Sequence, residues 1–483
     1  MKKIRLLLAS LVIAGFAFQS CEDMDDTAVP VNDFIWKGLN LYYLWQEEVP
    51  NLADDRFDNQ EQLNDFLETY QTPKELFESL LYKYHEVDRF SVIVPDFREL
   101  ENTLQGVSKS NGIEYGLVYT DASRTNVFGY VRYILPGSDA EAKGVQRGDI
   151  FYAVDGIQLT DENAAGLLRW GADTYTLSFA DLNDGEIIPN GEEVSLTKSE
   201  YAENPVYKTS VHTVGGKKVG YFMYNGFYSN YDNELNAAIG QLAAEGIDEL
   251  VLDLRYNSGG SVRTATYLAS MITGGYTGQI FAQQQWNSKL QSYYEANNPD
   301  ALLNKFTHEL SNGQAINHLN LGRVFVLTTS STASASELVI NGLKSYIDVV
   351  QIGETTVGKN VGSVTLYDSP NFGRENRNGS HRYAMQPIVL RIANADGEGE
   401  YTEGIAPTIA LDEDLENMGV LGDPDEPYFA EALNIIDGKS GRSRGFGRKY
   451  EHFKDSKSIH RFGTEMYIEE MPEGSLNLLK DLQ

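Results

Sequence analysis

The spacing of hydrophobic and polar positions changes along the chain, and each change predicts a different kind of structure. From Val31 to about Pro95 the period is helical. In "FIWKGLNLYYLWQEEVP", Ile35, Leu39 and Tyr42 or Tyr43 fall on one face before Pro50. "TPKELFESLLYKY" opens with Thr72 as N-cap, Pro73 at the first helical position and Glu75 at the third, which is the signature of a helix start. From Gly106 to about Thr197 the pattern shortens to strands, "YGLVY", "VFGYVRYI" and "DIFYAVDG", between turn residues. From about Tyr201 to Asp437 apolar strands alternate with helices. "ELVLDL" (Glu249 to Leu254), "RVFVLTT" (Arg323 to Thr329) and "DVVQI" (Asp348 to Ile352) read as strands, with helices over Val262 to Ile272 and Ser336 to Tyr346. Such alternation predicts an α/β region built on a parallel sheet.

The ends of the chain read differently. Lys2, Lys3 and Arg5 precede an apolar run from Leu6 to Phe18, too short to span a bilayer comfortably. Cys21, the only cysteine, follows directly. This arrangement resembles a bacterial lipoprotein signal with Cys21 as the lipidated residue, and the acidic run Glu22, Asp23, Asp25, Asp26 resembles the surface-export signals of Bacteroides-type lipoproteins. The alternative is an ordinary cleaved signal with an incidental cysteine and a solvated tether. The expected location is the cell envelope, with the chain lipid-anchored to the outer membrane, periplasmic or surface-exposed. The far end, from Gly438, scatters Arg442, Arg444, Arg448 and Lys449 among Gly and Ser and reads as a flexible basic tail. The expected division is 1–20 signal, 21–30 tether, 31–105 helical domain, 106–200 β-rich domain, 201–437 α/β core and 438–483 tail.

Composition narrows the function classes. The chain has 483 residues, 41% hydrophobic and 23% charged, enough for large cores. A net charge of −31 argues against a nucleic-acid partner, because binding phosphates requires basic patches. The seven histidines show no metal spacing, no HExxH or CxxC occurs, and no cofactor is expected.

Three loops carry candidate chemistry: "RYNSGG" (Arg255 to Gly260), "SSTASASE" (Ser330 to Glu337) and "GETTVGKN" (Gly353 to Asn360). Each follows a strand, so a parallel sheet delivers all three to its carboxyl edge. The last loop has the Gly-x4-Gly-Lys spacing of a phosphate-binding loop. That reading fails. Asn360 stands where Ser or Thr must hold magnesium, Glu354 repels phosphate, and "VGSVTLY" reads as strand where a helix is required. No nucleotide partner is expected. The competing chemistry pairs Ser334 with Lys359. A serine hydroxyl needs a base, and a lysine serves as one when burial, here beside Val357 and Val361, disfavours its charged form. Backbone N–H groups at Ala335, Gly259 and Gly260 are placed to receive an oxyanion.

These blocks resemble those of the carboxyl-terminal processing peptidases, also called tail-specific proteases, over residues 85 to 410. "VLDLRYNSGG", "TASASELV" and "GETTVGK" match in order. Upstream, Pro136-Gly137-Ser138, Gly144-Val145, Gly148-Asp149-Ile150 and Val154-Asp155-Gly156 resemble a PDZ domain of the bacterial protease type. The resemblance implies a crotonase/ClpP-like α/β protease core, a PDZ-like β-rich domain and a small N-terminal helical domain. It implies Ser334 as nucleophile, Lys359 as general base, Thr356 as a residue orienting the lysine, and Ala335, Gly259 and Gly260 as oxyanion donors. It implies that the loop at Tyr115, Gly116 and Leu117 captures a peptide carboxylate, or else that the domain only braces the core. The expected substrates are proteins or peptides with unstructured C-termini.

Two positions depart from the family pattern. Ser363 stands where a glutamine often positions the lysine amine, and a serine hydroxyl reaches less far. "DRFS" puts Phe90 where many relatives have histidine, which weakens a Ser–His alternative. The lost glutamine leaves open a non-catalytic peptide- or ligand-binding lipoprotein on the same fold. Asp253 and Arg255 are expected to be a structural pair.

Overall fold

The Thr72 start signal is realised as a reciprocal cap. Thr72 Oγ1 accepts the Glu75 N–H at 3.2 Å, and Glu75 Oε2 accepts the Thr72 N–H at 3.2 Å, at the head of the helix Pro73–Ser79. This is seen in a computed structural model that describes residues 30–439, 450–459 and 462–471. The expected signal segment, Cys21, the acidic residues after it and Arg442, Arg444, Arg448 and Lys449 lie outside the described residues. The helix Pro30–Tyr42 buries Phe34, Ile35, Leu39 and Tyr42, and shares one apolar core with the α/β region. Asn287 Nδ2 closes the junction by donating to Leu41 O at 2.8 Å and Tyr43 O at 3.1 Å.

The α/β region is built on a six-stranded sheet in the order Val206–Val214, Lys217–Tyr224, Glu249–Asp253, Arg323–Thr328, Asp348–Gly353, Ile409–Ala410. Its first pair is antiparallel and the rest are parallel. The expected adjacency of Arg323–Thr328 and Asp348–Gly353 holds, in parallel register. The connecting helices are Val262–Thr273 and Ala335–Lys344. A second six-stranded sheet has the order Gly260–Ser261, Met466–Tyr467, Val361–Ser363, Ile388–Asn394, Ile280–Trp286, Leu303–Lys305.

Residues 107–202 form the β-rich unit with its own core, which includes Leu117, Val131, Phe151, Leu177 and Leu196. Its sheet runs His452–Asp455, Ile113–Tyr119, Val127–Ile134, Ile150–Val154, Thr174–Asn183, Glu186–Thr197.

Two expectations are overturned here. Tyr115, Gly116 and Leu117 lie within the strand Ile113–Tyr119 rather than in a loop, because alternate apolar side chains fill the unit's core. The tail beyond Gly438 is not flexible throughout. Among its described residues, His452–Asp455 forms the outermost strand of the β-rich sheet and Met466–Tyr467 an inner strand of the second α/β sheet. Composition misled because the basic run at 442–449 is followed by apolar residues that are buried: Ile459, Phe462, Met466 and Tyr467.

Candidate active site

The three loops converge at the carboxyl edge of the parallel strands and are laced together. Thr332 Oγ1 donates to Leu254 O at 2.9 Å, Ala333 N to Asn257 O at 3.1 Å, and Val357 N to Thr332 O at 3.0 Å. Asp253 and Arg255 are the structural pair expected. The guanidinium, fully buried, bonds both Asp253 oxygens and Glu426 Oε1 at 2.7 Å, while Tyr221 OH donates to Asp253 at 2.6 Å.

Ser334 immediately precedes the helix Ala335–Lys344 and has φ 65° and ψ −118°. A non-glycine residue in that region carries strain of about 1–3 kcal/mol, which the surrounding bonds must hold. The residue is fully buried, yet no protein group bonds its Oγ. The N–H of Ala335, at the first helical position, has no intrahelical acceptor and sits beside that hydroxyl. A Cβ on Gly259 would come within 2.5 Å of Ser334 Cβ, 2.7 Å of its Oγ and 3.0 Å of Ala335 N, so glycine is required there for space as well as for its φ of 110°. Gly259 does not offer its own N–H to an oxyanion in this state, contrary to expectation, because Asn257 Oδ1 takes it at 2.9 Å. Gly260, with φ 137°, is wedged between Phe227 and Met466.

Lys359 is fully buried, and burial pushes its amine below the usual lysine range, opposed by the charge of Glu465. Its Nζ bonds Thr464 O at 2.9 Å and Glu465 Oε2 at 3.2 Å and faces the Phe90 ring at 4.5 Å from the centroid. The divergent Phe90 is thus a wall of the lysine site.

Two expected helpers have other partners. Thr356 Oγ1 donates to Glu337 Oε1 at 2.5 Å and accepts the Ile405 N–H at 2.8 Å, so it orients the loop rather than the amine. Ser363 Oγ lies 3.0 Å from both Glu465 Oε2 and Met466 O, and accepts from Gln386 Nε2 at 2.9 Å, with no bond to Lys359. The hydroxyl and the amine meet instead on one oxygen, Glu465 Oε2, which takes both. A glutamine side chain nevertheless stands behind it, delivered by the strand Ala384–Gln386, and nothing in local sequence spacing signals this.

Glu337 was missed as a functional residue. It is fully buried and accepts the backbone N–H of Ser334 at 2.7 Å, Gly358 at 2.7 Å and Lys359 at 2.9 Å, besides Thr356. Burial raises its carboxyl against these four bonds, which favour the ionised form. Its signal was available: a glutamate three residues after a serine at a helix start. Glu465 was missed because it lies in the stretch read as flexible. The described residues hold no His/Cys/Asp/Glu group suited to a metal ion.

The sequence also matches known proteins. The model of peptidase family S41 matches residues 218–411, and that of the peptidase S41 N-terminal domain matches residues 30–92. A carboxyl-terminal-processing protease of Picosynechococcus sp. is 30% identical over 229 residues, covering 47% of this chain and 49% of that protein. One from Synechocystis sp. is 26% identical over 307 residues, covering 63% of this chain and 64% of that protein. The chain therefore spans only part of these relatives' own lengths, 49% and 64%. A solved structure from Bacteroides fragilis NCTC 9343, described provisionally as an S41 protease, superposes with a TM-score of 0.64 at 26% identity, covering 84% of this chain and 97% of that one. The helical region, the loop-bearing α/β region and their common fold agree in one assignment: the chain belongs to peptidase family S41.

Proposed function

We propose that the chain is a serine endopeptidase that cleaves polypeptides near their C-termini, with Ser334 as nucleophile and Lys359 as general base. The observation that carries this reading is the state of Ser334: a buried hydroxyl bonded by no protein group, on a strained residue ahead of a helix, with a buried lysine on the adjoining loop held by the same Glu337 oxygen. In the reaction, neutral Lys359 accepts the Oγ proton as Oγ adds to the substrate carbonyl carbon. The negative charge on the carbonyl oxygen is received by the N–H groups of Ala335 and Gly260. Lysine then returns the proton to the departing amine, and water hydrolyses the acyl-serine by the same steps in reverse order. The α/β region is read as a crotonase/ClpP-like core and the β-rich unit as PDZ-like, presenting the edge of Ile113–Tyr119 to an extended peptide. Support for that role comes from the strand His452–Asp455, already paired along this edge. Cys21 is proposed as the lipidated residue that holds the enzyme at the outer membrane, and a Cys21→Ser chain is expected to lose incorporation of labelled fatty acid.

A serine-reactive fluorophosphonate is expected to label Ser334, and Ser334→Ala to abolish both labelling and cleavage of an unstructured polypeptide while the circular dichroism spectrum is unchanged. Retained turnover in Ser334→Ala overturns the reading. A second reading, a non-catalytic peptide-binding lipoprotein, is favoured by the bonding of Lys359 to Thr464 and Glu465 instead of Ser334. It is supported if peptide binds while neither labelling nor turnover occurs.

A further inference from the structure

The described part of the C-terminal segment touches both the outer edge of the β-rich sheet and the residues around Lys359. It begins as an added strand. Tyr119 N donates to Glu451 O at 2.9 Å, His452–Asp455 pairs antiparallel with Ile113–Tyr119, and Ser456 N donates to Tyr115 O at 3.0 Å. Side chains lock this register. Asp455 meets Arg132 at 3.0 Å with both groups buried, Ser456 Oγ donates to Glu114 at 2.5 Å, and Lys457 Nζ donates to Asn225 O at 2.5 Å. Phe462 then fills an apolar pocket formed with Val94, Leu100, Tyr367 and Ala384.

The same segment next enters the catalytic cleft. Thr464 O and the Glu465 carboxylate take the Lys359 amine. Met466–Tyr467 runs parallel between Gly260–Ser261, which carries an oxyanion glycine, and Val361–Ser363, which follows the lysine. Ile468 N donates to Ser363 O at 3.1 Å and Tyr467 OH to Leu104 O at 3.0 Å. An extended chain between these two strands is what a peptidase needs in order to present a carbonyl to Ser334. Here that place is filled by the protein itself, and the side chain this segment sets against the base is a carboxylate, Glu465, which favours the ammonium form.

We propose that residues 452–459 and 462–469 are a tethered occupant of the substrate track, closing the site in cis through strand pairing at Ile113–Tyr119 and through Glu465 on Lys359, until a polypeptide of like character displaces them. The displacing ligand is an extended polypeptide segment carrying an aromatic anchor and an acidic residue ahead of an apolar pair. The proposal rests on the peptidase reading of the same cleft. Tethering gives the occupant an effective concentration of about millimolar, so that free peptides of modest affinity are excluded while it is docked.

The test uses the full chain. Asp455→Ala with Glu465→Ala removes the two acidic anchors. A fluorescein-labelled peptide of sequence 450–471 is titrated by anisotropy into this double variant and into the parent, each also carrying Ser334→Ala so that nothing is cleaved. Binding to the double variant is expected to be at least tenfold tighter, and the double variant with Ser334 intact is expected to turn over an unstructured substrate at least tenfold faster than the parent. Tighter binding without turnover in any form leaves the occupied track standing and overturns the peptidase reading. Equal binding by a folded double variant overturns the occupancy. If the double variant does not fold, a site-specific protease sequence is inserted after Gly438 and the purified protein is cut. Release of the fragment is expected to raise peptide binding tenfold, with the labelled peptide competed off by re-added fragment. Release without a gain in peptide binding, or a fragment that stays bound while the labelled peptide binds elsewhere unopposed, overturns the proposal.

Discussion

Ser334 and Lys359 hang from the same carboxylate oxygen: Glu337 Oε2 accepts the backbone N–H of the first at 2.7 Å and of the second at 2.9 Å. The two residues come from loops on neighbouring parallel strands, and this carboxylate sets their separation without touching the reacting atoms. Glu337→Gln replaces one acceptor oxygen by an NH2 that opposes the N–H donors. Hydrogen bonds to a charged group contribute about 1.5–3 kcal/mol each, so the substitution is expected to cost several kcal/mol of stability, read by denaturant midpoint. It is also expected to lower kcat more than it raises KM, because the loops lose their relative position and the substrate track does not.

Lys359→Met keeps the bulk and removes the base. Turnover is expected to fall roughly a thousandfold or more, as when one member of a nucleophile–base unit is removed. Stability is expected to fall, since Glu465 and Thr464 O are left buried without their partner, which for one member of a buried pair typically costs about 3–5 kcal/mol. Single-turnover kinetics and a thermal melt check both parts.

The pH dependence follows from the direction of the Lys359 shift. Its folded value lies below the ordinary 10.5, so the unfolded chain binds more protons between the two values, and stability rises with pH across that window. Activity needs the neutral amine and is expected to rise through the lowered value. Glu465 opposes the shift. In Glu465→Gln the midpoint of the pH–kcat/KM profile, which reports the free enzyme with the segment docked, is therefore expected to move to lower pH, and a midpoint unmoved or moved upward contradicts the placement of Glu465 on the base.

Gly259→Ala tests the space beside the nucleophile. The added methyl would lie 2.5 Å from Ser334 Cβ on a backbone with φ 110°. Loss of fluorophosphonate labelling is expected together with a stability loss of about 1–3 kcal/mol.

Arg132→Met leaves Asp455 buried without its partner, which typically costs about 3–5 kcal/mol. Burial opposes the ionised carboxylate of Asp455, and the Arg132 guanidinium overcomes this and holds it well below the usual range. A depressed carboxylate contributes stability above its unfolded value and loses it as pH falls through the folded one. Undocking of the 452–455 strand is thus expected in the variant at neutral pH and in the parent only in acid, read by hydrogen exchange at Tyr119 and Ser456.

Much of this site was legible in the residues alone. Alternating strands and helices implied a parallel sheet, a parallel sheet sends its loops to one edge, and those loops held Ser334, Lys359 and the glycines. Local chemistry was sufficient there because strand direction and loop position depend on near neighbours in sequence. The cap at Thr72 and the Asp253–Arg255 pair were legible for the same reason. The rest depended on distant segments meeting. Thr356 and Ser363 lie close to Lys359 in sequence, yet Thr356 bonds Glu337 and Ser363 meets the amine only through Glu465, because side-chain partners are set by which strands pack together. Gln386 reaches Ser363 across an antiparallel neighbour, and Glu465 reaches Lys359 from a segment whose composition read as tail. Strand addition is carried by backbone groups common to every residue, so composition does not report it. Sequence by itself determined the chemistry this protein can attempt. Tertiary structure decided what fills the cleft, because a strand's destination is chosen by a free edge, a pocket and an opposite charge that lie far away along the chain.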